Sequence, residues 1–215
     1  MDKLPRSFYL RPTIAVAKDL LGKYLVRHVK DKMLVGMIVE TEAYIGKNDP
    51  ASHAYRGKTK RNAVMFGEGG HLYVYFTYGM HFCANVVTDI EGVGSAVLLR
   101  AVEPVEGYDI MSKMRKLKGN SPQSNLTNGP AKLCEAFGIN GTHNGTDLLG
   151  NSIFITKGEK IRRSDIVPAV RIGIRNGADK LWRFYLKGNP FVSKLKIPAS
   201  NAHRDCYKGV TSSLH

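Results

Sequence analysis

His71–Tyr78 alternates, with Leu72, Val74 and Phe76 on one face and Tyr73, Tyr75 and Thr77 on the other, the period of a half-buried strand. Tyr24–Val29 and residues 33–41, joined through Lys30-Asp31-Lys32, also read as strands, and so do His81–Thr88 and residues 95–103. Ile153–Thr156, residues 170–174 and residues 184–186 read as short late strands. Helical spacing is predicted over residues 14–21, with Thr13 as cap and Gly22 as stop. It recurs over residues 107–118, where Ile110, Met114 and Leu117 share an apolar side. Asn128-Gly129-Pro130 opens a further helix with a cap and an early proline, and Gly138 closes it. Residues 46–70 and 119–128 read as loops long enough to suggest function. Strands follow one another without regular helical crossovers. The predicted fold is therefore α+β: a single domain over residues 1–215, with a mixed, mostly antiparallel sheet and a few flanking helices.

Composition narrows the class. The 215 residues are 43% hydrophobic and 23% charged, which supplies a core and excludes collagen, coiled coil and wholesale disorder. A formal charge of +14, spread along the chain, points to a polyanionic partner, nucleic acid first. Cys83, Cys134 and Cys206 lie far apart and are odd in number, which fits reduced thiols better than a disulfide framework. No apolar run approaches the roughly 20 residues of a membrane helix, and Met1-Asp2-Lys3-Leu4-Pro5-Arg6 lacks the apolar stretch of a signal peptide. The expectation is a soluble protein with no membrane contact, cytoplasmic beside the nucleoid, or nuclear in a eukaryotic source. Residues 92–97 do not complete a dinucleotide fingerprint, and no P-loop, zinc spacing or G-x-S-x-G occurs. No cofactor and no metal are expected; an enzyme here would work with acid, base and water.

Four places carry candidate chemistry. Met37-Ile38-Val39 runs straight into Glu40-Thr41-Glu42-Ala43-Tyr44, and strand geometry puts Glu40, Glu42 and Tyr44 on one face. Buried carboxylates there need partners or raised pKa values; a strand emerging into solvent would need neither. Arg100 lies within an apolar strand, cannot deprotonate, and must find an anion, for which Glu40 and Glu42 are natural partners. That pair is either a structural ion pair or a site carboxylate held by arginine. Tyr44, His53, Tyr73, Tyr75 and Tyr78 concentrate aromatic rings; each tyrosine alone reads as an ordinary core residue, whereas the set could sandwich a planar ring. Lys58-Thr59-Lys60-Arg61-Asn62, and Lys132 in the first turn of its helix, are phosphate contacts or solvated surface.

Together these stretches resemble the alkyladenine DNA glycosylase family, also called methylpurine or 3-methyladenine DNA glycosylases. The signature is carried by Val39-Glu40-Thr41-Glu42-Ala43-Tyr44, Leu72-Tyr73-Val74-Tyr75 through Tyr78-Gly79-Met80, and Phe82-Cys83-Ala84-Asn85. It continues in Val97-Leu98-Leu99-Arg100-Ala101 with Glu103-Pro104, Gly129-Pro130-Ala131-Lys132-Leu133-Cys134, and Arg171-Ile172-Gly173-Ile174. The resemblance covers residues 8–193 as a core and leaves a basic tail at 194–215.

It implies a monofunctional enzyme that flips alkylated purines out of duplex DNA and hydrolyses them off, with no strand-cutting lyase activity. The implied substrates are 3-methyladenine and 7-methylguanine, with ethenoadenine and hypoxanthine behind them; a monomer is expected. Glu42 would be the general base, Arg100 would hold the water and that carboxylate, and the carbonyl of Ile172 would be a third water ligand. Tyr44, His53 and Tyr75 would stack around the base, and Asn85 would oppose the 2-amino group of guanine. Tyr78 would fill the vacated stack with Met80 beside it on the DNA side, while Thr59 and Lys132 would meet phosphates. Lys60, where the family often has proline, and Gly141, where mammalian members have a phosphate-contacting lysine, depart from the pattern.

Two rivals remain at this level. A non-catalytic nucleic-acid-binding module would use the same charge and rings, but has no use for a carboxylate facing a polyanion. An enzyme for a small anionic metabolite would be indifferent to duplex DNA.

Overall fold

The computed structural model describes residues 1–117 and 121–194. Two short helices, α1 (Arg6–Tyr9) and α2 (Thr13–Asp19), precede a hairpin of β1 (Tyr24–Val29) and β2 (Lys32–Ile45). A second hairpin, β3 (Leu72–Thr77) and β4 (His81–Thr88), leads to β5 (Ser95–Glu106), α3 (Tyr108–Met114) and α4 (Pro130–Ala136). Short strands β6 (Ile153–Thr156), β7 (Ile166–Ala169) and β8 (Arg183–Leu186) complete an eight-stranded sheet in the order β3-β4-β5-β2-β1-β6, with β8 joining β2 to β7. Every pairing is antiparallel. The α+β expectation holds. Among the described residues no helix is long and apolar enough to cross a membrane.

The length of β2 decides where the site lies. Its first half pairs with β1, up to Met37↔Tyr24. Beyond that, β8 takes over the same edge at Glu40, Thr41 and Glu42, while β5 pairs along the other edge. The acidic stretch is thus central in the sheet, which is why it stays in strand conformation despite its polarity and why the strand runs to Ile45 rather than ending at Thr41. Between Ile38↔Val102 and Thr41↔Leu99 the β2–β5 register skips Val39 on one strand and Arg100 on the other. Bulges of this kind re-aim side chains.

The main core joins both faces of β2 and β5 to the helices: Leu20, Ile38, Leu99, Val102, Met111, Leu133 and Phe137 are all fully buried. The Thr41 hydroxyl donates to the Ala17 carbonyl at 2.8 Å and ties α2 to β2 beside the acidic stretch. A smaller cluster of Ala54, Met65, Tyr73, Val87 and Ala96 supports the long loop that follows β2.

Several local expectations are corrected. Residues 170–174 form a turn rather than a strand; the strand is β7, four residues earlier, and the turn points Arg171 and Ile172 inward. Thr13 is the first helical residue, not the cap, and its hydroxyl accepts from Thr88 at 3.0 Å. Asn128 does not cap α4 either; Gly129 occupies that position and the Asn128 Oδ1 accepts from Lys132 at 2.7 Å. The strand β5 runs to Glu106, past the expected 103. Lys118, part of the 119–128 loop and the tail beyond residue 194 lie outside the described residues.

Leu99 packs the core one position before Arg100 and is fully buried. Leu99→Ala should lower unfolding free energy by about 2–5 kcal/mol, read from urea denaturation. A loss within about 0.5 kcal/mol, the range of surface substitutions, would contradict this placement of the core.

Candidate active site

Glu42 is completely buried and surrounded by donors. The Ile172 N–H donates to its Oε1 at 2.7 Å, the Arg100 guanidinium approaches the same oxygen at 3.2 Å, and the Tyr44 hydroxyl donates to Oε2 at 2.9 Å. Every partner is a donor, the arrangement of an ionised carboxylate. Glu40, one pleat away, faces Arg183 at 2.9 Å, accepts from the Ser193 N–H at 2.7 Å and lies 3.3 Å from Arg100 Nε. That last contact is ionic but lacks hydrogen-bond alignment. Glu40, Glu42 and Tyr44 share a face as the two-residue period predicts. Burial alone would make the Arg100 guanidinium easier to deprotonate; Glu42 and then Glu40 outweigh it and hold the charge in place.

In front of this cluster lies a cavity of about 310 Å³. Tyr44, Arg100 and Ile172, the three partners of Glu42, form part of its wall, whereas Glu42 stands directly behind them. His53, Tyr73, Tyr75 and Asn85 line the same cavity. The rings of Tyr73 and Tyr75 stack at 5.5 Å, His53 meets Tyr75 edge-on at 4.4 Å, and His53 Nδ1 lies 3.0 Å from the Tyr73 hydroxyl. The Asn85 amide donates to the Tyr73 carbonyl at 3.2 Å, which fixes its orientation in the wall. Desolvation, then the Arg61 charge, hold His53 below its usual 6.5, so the ring is neutral at pH 7. Burial pushes the Tyr73 hydroxyl up to about 12. Burial, and then Glu42, raise Tyr44 further, so its hydroxyl remains a donor to that carboxylate.

The comparisons with known proteins converge on one family. The profile described as "Methylpurine-DNA glycosylase (MPG)" matches residues 7–190. A protein of Carboxydothermus hydrogenoformans named "Putative 3-methyladenine DNA glycosylase" is 57% identical over 192 residues, 89% of this chain and 98% of its own. Namesakes from Chlorobaculum tepidum and Clostridium acetobutylicum are 46% and 49% identical, each over 90% of this chain and over 92% and 98% of their own length. The chain belongs to the methylpurine-DNA glycosylase family.

In this member of the family the cavity opens beside the β3–β4 turn. Tyr78 and Gly79 both take left-handed backbone conformations there, with φ of 50° and 68°. Such a conformation costs a non-glycine residue strain. It leaves Tyr78, 84% exposed, at the rim of the cavity, with Met80 and Phe76 exposed nearby. Thr59 is held in the long loop by Asn62, whose Oδ1 accepts from the Thr59 N–H and hydroxyl and whose amide donates to the carbonyls of His53 and Gly57. Lys132 donates to Asn125 and Asn128 at 2.7 Å each. Thus Tyr44, His53, Tyr75, Tyr78, Asn85, Arg100 and Ile172 line one cavity with Glu42 behind it, while Thr59, Met80 and Lys132 lie off its wall. Among the described residues no group of three His, Cys, Asp or Glu side chains is placed to hold a metal.

Sequence reasoning missed two buried pairs. Arg183 neutralises Glu40 across the β2–β8 pairing. Arg171 forks onto Asp49 at 2.5 and 2.8 Å and donates to the Ala43 carbonyl. Neither pair has a local spacing signal, because the partners lie 122 and 143 residues apart in the chain. Arg183→Met leaves Glu40 buried with a misaligned guanidinium and one N–H. It should cost about 3–5 kcal/mol in urea denaturation, and a loss under about 1 kcal/mol, the range of surface pairs, would contradict the pairing.

Proposed function

We propose that the chain excises 3-methyladenine and 7-methylguanine, and more slowly ethenoadenine and hypoxanthine, from duplex DNA by hydrolysis. The observation that carries this reading is Glu42, a carboxylate locked by an amide N–H, a guanidinium and a phenol immediately behind a ring-walled cavity. A passive nucleic-acid binder gains nothing from such a group. The cavity volume falls at the small end of the roughly 300–1,000 Å³ of ligand sites, the size for one heterocycle rather than a nucleotide chain.

A base stacked in a duplex is out of reach, so the lesion swings out at a cost of a few kcal/mol. Tyr78, already projecting from its strained turn, fills the gap in the stack. The extruded purine lies against Tyr44 on one side and His53 and Tyr75 on the other. Glu42 accepts a proton from a water seated among Tyr44, Arg100 and the Ile172 carbonyl. The water oxygen bonds to C1′ as the C1′–N bond breaks, and that electron pair leaves with the base. An N-alkylated, cationic purine departs neutral and needs little acid help; hypoxanthine needs protonation and departs more slowly. Asn85 opposes the 2-amino group of an undamaged guanine. No lysine lines the cavity among the described residues, which supports hydrolysis over imine formation and hence an uncut strand. Every group in this scheme comes from one chain, so a monomer suffices, and the chain works wherever its DNA is kept. Thr59, Met80 and Lys132 meet the duplex outside the cavity.

The test is base release from duplexes carrying each of the four lesions, followed by chromatography of the free base. The expected products are free 3-methyladenine and 7-methylguanine, slower hypoxanthine, and an abasic strand that breaks only in alkali. Tight duplex binding with no released base from any lesion would favour the binding-module alternative.

A further inference from the structure

Behind Tyr44, rings and cations alternate from the surface inward. Lys180 Nζ lies 4.2 Å from the centroid of the Trp182 ring. The Arg171 guanidinium carbon lies 5.2 Å from that ring and 4.7 Å from the ring of Tyr44. Tyr44 lines the cavity and Arg171 does not, so the guanidinium lies over the tyrosine ring without itself reaching the cavity lining. Arg171 is fixed there: its side chain is fully buried, it forks onto Asp49, and it donates to the carbonyls of Ala43 and Gly177. Asp49 is likewise fully buried; the two charges cancel at a distance, and what the tyrosine ring meets at short range is the guanidinium, 4.7 Å away.

An aromatic face attracts cations because its π density is negative. A cation held on one face draws that density toward itself and opposes a second cation on the other face. A ring backed in this way still stacks by contact area and dispersion, but its preference for a charged base over a neutral one is blunted. We propose that Arg171 is a specificity-determining residue, which clamps Tyr44 from behind and narrows the advantage of cationic over neutral purines in the cavity. This rests on the reading of Tyr44 as a plate for the flipped base. It gives the Arg171–Asp49 pair a function separate from folding: the same wall serves alkylated, positively charged purines and uncharged ones.

The test compares kcat/KM for 7-methylguanine with that for a neutral lesion, hypoxanthine or ethenoadenine, in one duplex sequence. Asp49→Asn strips the guanidinium of its counter-charge and should move the ratio toward the neutral base by about two- to fivefold. Arg171→Met combined with Asp49→Asn removes the charge and should move it toward 7-methylguanine by about the same factor. Arg171→Lys, which keeps a cation beside Asp49, should hold the wild-type ratio. Thermal unfolding identifies which variants fold, and either of the first two decides the matter, because they move the ratio in opposite directions. A merely structural role lowers both rates by one factor and leaves the ratio unchanged; that result overturns the inference. Failure of the wild type to release any base would instead overturn the function on which it rests.

Discussion

Six charged side chains are buried among the described residues, three carboxylates and three guanidiniums: Glu40, Glu42 and Asp49 against Arg100, Arg171 and Arg183. Taking any one of them from water alone costs several kcal/mol, and their mutual attraction repays this only with close geometry and full hydrogen bonding. A packed apolar cluster would stabilise the sheet as well or better, so fold stability does not account for these charges. Their value lies in position. Each carboxylate is reached from two or more directions, so none has a second comfortable orientation. The bulge that skips Arg100 in the β2–β5 register allows one guanidinium to face both glutamates.

The cluster also explains the order of the layers around the cavity. Glu42 is withdrawn behind Tyr44, Arg100 and Ile172, which on the proposed reading would keep a negative group away from an approaching polyanion and close to the sugar of an extruded nucleotide. Tyr44 joins the two: its hydroxyl donates to Glu42, the residue lines the cavity, and Arg171 lies over its ring. Arg171 and Ile172 are adjacent in one turn, so a single backbone segment braces the plate and the carboxylate together.

Strands rich in β-branched and aromatic residues were legible in the chain: Tyr24–Val29, His81–Thr88 and Ile153–Thr156 match their predicted bounds. The face shared by Glu40, Glu42 and Tyr44 followed from the two-residue period of a strand, and the partnership of Arg100 with both acids from the need of a guanidinium in an apolar strand for an anion. What the chain concealed depends on contacts remote in sequence. β2 looked finished at Thr41 because its polar end is stabilised by β8, some 140 residues on. The 170–174 run has strand-like residues, but its arginine is recruited by Asp49 and Ala43, which holds it in a turn. Thr13 and Asn128 carry cap chemistry yet spend it on Thr88 and Lys132, tertiary partners that outcompete the local backbone. Family resemblance supplied the roles; the coordinates supply the reason Glu42 is held where it is.

The most direct measurement is single-turnover excision of 3-methyladenine by Glu42→Gln, with duplex affinity measured in parallel. The amide keeps the shape and an acceptor for the Ile172 N–H but cannot take a proton from water. The account predicts a rate lower by about 10²–10⁴-fold or more with lesion-duplex binding retained. A rate within about tenfold of wild type would show that the reaction does not pass through this carboxylate.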